Sequence, residues 1–219
     1  MKKIVILFLL GLSPLLSLGQ LAVLRDNGTG IPITANEYIG VKGSPYLEEF
    51  HKGTLFLKTG LKVDGLSISL NSYQNKLEYK LDGGLFSYGV DKLTGFSYLS
   101  SSGEQVEFTS DFEIPTLKKK RFLQVLEKGK YTLLFHPYKI LTDDPSATYG
   151  AQAAKVFQDE QDVFVAVDGK VFLLKNKDKI LKEAFGADVE KAMALIKSQK
   201  VNFNKIETVR VLIQELNKN

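Results

Sequence analysis

From Thr54 to Phe108 apolar and polar residues alternate in a series of short runs, each closed by a cluster of turn-forming residues. A period of two sends successive side chains to opposite faces, so these runs predict an antiparallel meander with one face buried. Leu55 and Leu57 share a face in the first run, and Leu66, Ile68 and Leu70 oppose Ser67 and Ser69 in the second. Leu77, Tyr79 and Leu81 oppose Lys76, Glu78 and Lys80 in the third, which predicts a solvated outer face. Phe86, Tyr88 and Val90 follow, then Phe96 and Tyr98, then Val106 and Phe108. Turns are expected at Asp64-Gly65, Ser72 to Asn75, Asp82-Gly83-Gly84 and Ser101 to Gly103, short enough to make neighbouring strands antiparallel.

Beyond the meander the texture changes. Arg121 to Leu141 predicts a hairpin, because Lys128-Gly129-Lys130 interrupts it and Tyr131, Leu133 and Phe135 alternate before Pro137. Val163 to Val167 and Val171 to Leu174 flank Asp168-Gly169, a strong hairpin signal, and both faces of these strands are apolar. Each face therefore needs a cover. Three helices are expected to supply it: 177–185 between Asn176 and Gly186, 188–199, and 205–216, the last opened by a capping box of Asn204 and Glu207. The whole predicts an α+β fold. An antiparallel β-meander, sandwich- or barrel-like, occupies residues 20–142; a polar linker or loop spans 143–161; a β-hairpin plus helical region occupies 162–219.

The first 19 residues stand apart. Lys2 and Lys3 precede the apolar run Ile4 to Leu10, and Ser17 and Gly19 are small residues at the positions a signal peptidase reads before Gln20. The run is interrupted by Gly11 and Ser13-Pro14 and is shorter than the roughly 18 to 20 residues a membrane span needs. A cleaved secretory signal is expected, with a periplasmic or secreted mature chain that carries no integral membrane span. Its removal leaves 27 Lys and Arg against 25 Asp and Glu, a formal +2 in place of +4. That balance, with Lys118-Lys119-Lys120-Arg121 as the one basic run, gives no footprint for nucleic acid and reads as a solvated strand end. The chain has no cysteine, so neither a disulfide nor an acylated cysteine is available and the core alone must stabilise it.

Little in the sequence points to catalysis. The two histidines, His51 and His136, are far apart, and the second is expected to be partly exposed at a strand end beside Pro137. No Gly-x-Ser-x-Gly elbow, phosphate-cradling loop or zinc-ligand spacing occurs, so no catalytic residue, metal or cofactor is assigned. No linear spacing among the acidic groups Glu48-Glu49, Asp143-Asp144 and Asp159-Glu160 with Asp162 predicts the facing carboxyl pair of a glycosidase. The last group also lacks the glycine and terminal glutamate of a calcium loop, and all read as solvated loop acids. The aromatic residues carry more. Tyr79, Tyr88 and Phe108 align with aliphatic neighbours and belong to the core, whereas Tyr46 and Tyr73 fall in turn regions and are the candidate ligand-binding residues.

Three stretches carry a resemblance: Ser17-Leu18-Gly19-Gln20, then Lys42 to Leu47 before Lys52-Gly53-Thr54, and Leu173-Leu174-Lys175 to Phe185 leading into the final helices. Across most of the mature chain the layout resembles an uncharacterised family of exported proteins of Gram-negative bacteria. The resemblance implies compartment and fold, not activity. The expected function is a non-catalytic envelope binding or interaction protein whose partner is an envelope protein or glycan. The alternatives are a hydrolase acting on envelope polymers and a structural subunit of an envelope assembly.

Overall fold

A computed structural model describes residues 30–146 and 155–218. The expected signal segment at residues 1 to 19 lies outside the described residues, as does most of the polar run before Lys155. The strands are β1 (Ile31–Pro32), β2 (Val41–Lys42), β3 (His51–Leu57), β4 (Lys62–Asn71), β5 (Lys76–Leu81), β6 (Gly84–Tyr88) and β7 (Leu93–Leu99). They continue as β8 (Gln105–Thr109), β9 (Glu113–Ile114), β10 (Lys119–Lys120), β11 (Leu123–Glu127), β12 (Thr132–Asp143), β13 (Lys155–Val167) and β14 (Lys170–Leu173). The helices are α1 (Asp178–Phe185), α2 (Val189–Ser198) and α3 (Ile206–Asn217).

All of the strands except β9 and β10 join one mixed sheet, in the order β1-β6-β5-β4-β3-β7-β8-β11-β12-β13-β14, with β2 parallel to the start of β13. The α+β class is as expected. The barrel- or sandwich-like form is corrected to a single large sheet that is not a closed barrel. The meander holds from β3 to β6, after which β7 pairs with β3 from the other side. The turns explain the registers. Asp82 and Gly83, both left-handed at φ 48 and 78, form the two-residue link from β5 to β6, and Asp168 and Gly169 repeat it between β13 and β14. Asp64-Gly65 is not the expected turn. Gly65, at φ 76, serves a bulge inside β4 opposite Gly53 and Thr54, and the reversal falls at residues 58–61.

The registers place every inward residue of the meander on one face: Leu55 with Phe96, Phe96 with Phe108, Ile68 with Tyr79 and Leu70 with Leu77 are cross-strand pairs. With Phe122 these residues form one buried cluster. Phe96 stacks on Phe108 at 4.7 Å between ring centroids and meets Phe122 edge-on at 5.3 Å. Each such side chain contributes about 1.5–3 kcal/mol on burial. The same face continues into β11–β14, where Leu133, Val163 and Val165 pack against Leu181, Phe185, Ala192, Val209 and Ile213 of the helices. The opposite face of β11–β14 carries Leu123, Leu134, Phe164 and Ala166, covered by Ile114 of the β9–β10 hairpin. Both apolar faces of the Val163 to Leu174 hairpin are thus covered.

Three local expectations differ. α1 and α3 begin after Lys177 and Lys205 with no side-chain cap; at the start of α3 the Thr208 hydroxyl exchanges hydrogen bonds with the Asn202 backbone. The polar stretch 143–161, expected as a linker or loop, contributes Asp143 to β12 and residues 155–161 to β13, which pair in register out to Asp143 and Lys155. The strand does not stop at Pro137, since β11 has already ended at that level and no ladder bond from β11 is lost there. No helix of the described residues is long and apolar enough to cross a membrane.

Strand β7 leaves no room for a side chain at Gly95, where an added Cβ would stand 2.2 Å from the Phe108 carbonyl oxygen of β8. Gly95→Ala is therefore expected to destabilise the protein by about 1–3 kcal/mol or more, because backbone must move to admit it. Urea unfolding checks this, with Ser97→Ala on the same strand expected to stay within about 0.5 kcal/mol of the parent.

Candidate functional site

Residues 31–46 cross the outer face of β4, β5 and β6 as a strap. Ile31–Pro32 pairs with β6, Ile33 donates its N–H to the Leu85 carbonyl at 2.9 Å, and Val41–Lys42 joins β13. Between them Asn36 accepts the Tyr38 N–H at 2.9 Å and Gly40, at φ 80, turns the chain. The strap is fastened at both ends. The Pro45 carbonyl accepts the Ser72 N–H at 3.0 Å, and Lys42 pairs with Asp144. The Lys42 ammonium first, then the hydroxyl and N–H of Ser146, hold the Asp144 carboxyl down at about 2.

Under the strap lies a groove of about 680 Å³. Its floor is the outer face of the sheet, where Lys76 and Asn71 are cross-strand neighbours, as are Glu78 and Ser87. Glu78 is 3% exposed and Asn71 1% exposed, so the face expected to be wet is here a covered polar layer. Small residues at Ser69, Asn71 and Ser87 leave room for the strap to lie close. The Glu78 carboxylate accepts the Tyr46 hydroxyl at 2.6 Å and the Asn71 amide at 2.8 Å. The Asn71 amide also reaches the Tyr38 hydroxyl at 3.3 Å, and its carbonyl accepts the Gln74 N–H at 3.0 Å. At the rim Gln74 donates to Glu37 at 2.7 Å. Burial first, then the hydrogen bond to Glu78 and its charge, raise the Tyr46 phenol; burial first, with the charges of Glu37 and Glu78, raises that of Tyr38. Both phenols are neutral donors around pH 7.

Of the two tyrosines singled out in the sequence, Tyr46 is half-buried in this network and leans edge-on against Phe50 at 5.3 Å. Tyr73 is 39% exposed and meets Tyr38 and Phe157 edge-on at 5.9 and 5.3 Å, next to the groove rather than in it. Glu78, Asn71 and Tyr38 were not legible as site residues. The available signal was the run of serines and Asn71 opposite Glu78: small polar residues on an outer face mark a surface that chain can cover.

Other chemistry-bearing residues lie elsewhere. His51 stacks on Tyr98 and stands 3.1 Å from Glu48. His136 is not partly exposed at a strand end. It is 5% exposed within β12, stacked on Tyr138 and directly across from Asp162. Asp143 and Asp159, read as loop acids, are strand residues paired across the ladder with Lys155 and Lys139, both at 2.5 Å. Lys119 and Lys120 form an exposed two-residue strand. Among the described residues no group of three or more His, Cys, Asp or Glu could hold a metal ion. No family model, no curated protein and no solved structure matches the chain.

The His136 ring carries a stability consequence. Burial first, then the positive charge of Arg121, lower its pKa from 6.5 to about 4. The unfolded chain binds the extra proton between these values, so stability is full above about pH 6.5, falls as pH drops toward 4, and is level below. The size is on the order of 3 kcal/mol. His136→Phe keeps the stack on Tyr138 and removes the titration, so its urea midpoint is expected to fall less than the parent's between pH 7 and pH 4.5; an equal fall assigns the acid sensitivity to other groups.

Proposed function

We propose that the protein is a non-catalytic binding module of the bacterial envelope, exported to the periplasm or beyond, that holds an envelope glycan or protein at the strap-covered groove. The observation that carries this is Glu78: a carboxylate sealed from water, fixed by a phenol and an amide, on the floor of a groove in the size range of small-molecule sites. Such a group holds the Tyr46 phenol in place at the groove, and among the described residues no histidine lines the groove to act with Ser87 or Thr34. The three-part pattern of the first 19 residues supports the exported compartment, as does the resemblance to exported Gram-negative proteins.

A hydrolase acting on envelope polymers is the second reading, and one observation favours it: Glu37 and Glu78 line the same groove. Against it, each carboxylate is already engaged, Glu37 by Gln74 and Glu78 by Tyr46 and Asn71. Affinity capture from a native envelope fraction, using residues 20–219 as bait, separates the readings. Tyr46→Ala together with Tyr73→Ala is expected to lose at least one captured partner while circular dichroism stays that of the parent. Retention of every partner would sink the binding reading, and release of soluble fragments that Glu78→Gln abolishes would establish the hydrolase.

A further inference from the structure

We infer that the groove takes a polyhydroxylated ligand, a short run of sugar units; the inference rests on the binding reading above and narrows its ligand. The lining offers donors and acceptors side by side. Tyr38 and Lys76 supply donors, and the Asn36 and Gln74 side-chain amides, which each carry a donor and an acceptor, line the groove beside them. Glu37, exposed at the rim, keeps the oxygen that Gln74 does not occupy, while Glu78 holds Tyr46 and Asn71 in place beneath it. A hydroxyl is the ligand group that donates and accepts at once, so a row of hydroxyls matches this alternation, whereas a carboxylate or an ammonium matches only half of it.

Charge points the same way. Lys76 has no ion-pair partner among the described residues and shares the groove with Glu37 and Glu78, so both signs are present and the lining carries a formal charge of only −1. An anionic polymer would meet two carboxylates, and a cationic one would meet Lys76. Apolar surface is present as well: Tyr38, Tyr46 and Ile33 line the groove, and Leu85 lies on its floor beside Ser87. A pyranose ring has the same two-sided character, C–H groups on one face and hydroxyls around its edge. The geometry is held before any ligand arrives, because Asn71 and Glu78 are fixed by their own hydrogen bonds, and that lowers the ordering cost of binding weakly hydrophobic ligands.

Saturation-transfer NMR on residues 20–219 tests this, with the trisaccharides of glucose and of N-acetylglucosamine as probes and a neutral tetrapeptide as comparison. Transfer to at least one trisaccharide is expected, weakened tenfold or more by Tyr38→Ala and measurably by Lys76→Ala. Neither residue is part of the buried core, so both variants are expected to keep the parent's unfolding midpoint within a few degrees. Absence of transfer to either sugar, transfer to the tetrapeptide alone, or binding that both variants leave unchanged would overturn the inference. The envelope capture keeps the two ideas apart: a partner lost in the Tyr46 and Tyr73 variant while no sugar binds retires the sugar and retains the binding module, and failure of both retires both.

Discussion

Four residues, 89–92, have to carry the chain from the end of β6 to the start of β7, and the shape of the molecule depends on that tether. In the strand order β6 and β7 are separated by β5, β4 and β3, a lateral distance of about 19 Å in a flat sheet. The ends are also offset along the strands. Tyr88 is level with Leu77 and Leu70, two residues past the Ile68 and His51 pair, whereas Leu93 pairs with Leu57 at the far end of β3. That adds about 26 Å along the strand axis. A tether from Tyr88 to Leu93 reaches at most about 18 Å. The sheet must curl and shear until the two ends meet, which is the geometry that barrels use to link stagger with curvature.

The curl explains why a single layer can bury Tyr79, Leu77, Phe96 and Leu55 completely. Its inner face closes over its own side chains, and the tip of the β4–β5 hairpin swings across to the far strands. Asn75 accepts the Phe122 N–H there at 3.0 Å, and the Ser72 carbonyl accepts that of Lys139 at 3.4 Å. Closure by strand pairing does not follow. β1 pairs with β6 and β2 with β13, each over only two residues, and the chain between them is the strap. The groove is a result of this arrangement: a strap without helix or strand for most of its length cannot pack as closely as a sheet, and the floor beneath it is mostly polar, with Leu85 as its apolar residue.

Much of the architecture was legible. Period-two alternation located β3 to β8, and the Asp-Gly pairs at 82–83 and 168–169 marked the tight hairpins that formed. The helical stripes of Val209, Leu212, Ile213 and Leu216 marked the face of α3 that is buried. The site was only half legible. Tyr46 stood out because an aromatic residue in a turn region has no strand neighbours to explain it. Glu78 could not stand out, since an acid between two lysines on an alternating strand looks the same whether water or a strap lies over it. His136 and the 155–161 segment were misjudged for one reason: Pro137 and the polar residues after it resemble a strand end, and only the partner strand shows that the ladder continues.

The sequence by itself determined which residues point the same way, where the chain reverses and which segments need a cover, because these follow from the local periods of strand and helix and from the φ preferences of glycine and aspartate. Tertiary structure alone decided which strands are neighbours, that β7 returns to β3, that the sheet curls without closing, and that residues 31–46 roof a carboxylate. Those outcomes depend on contacts between residues far apart in the chain, on the reach of short connections and on the space left by small side chains, and no local pattern carries that information.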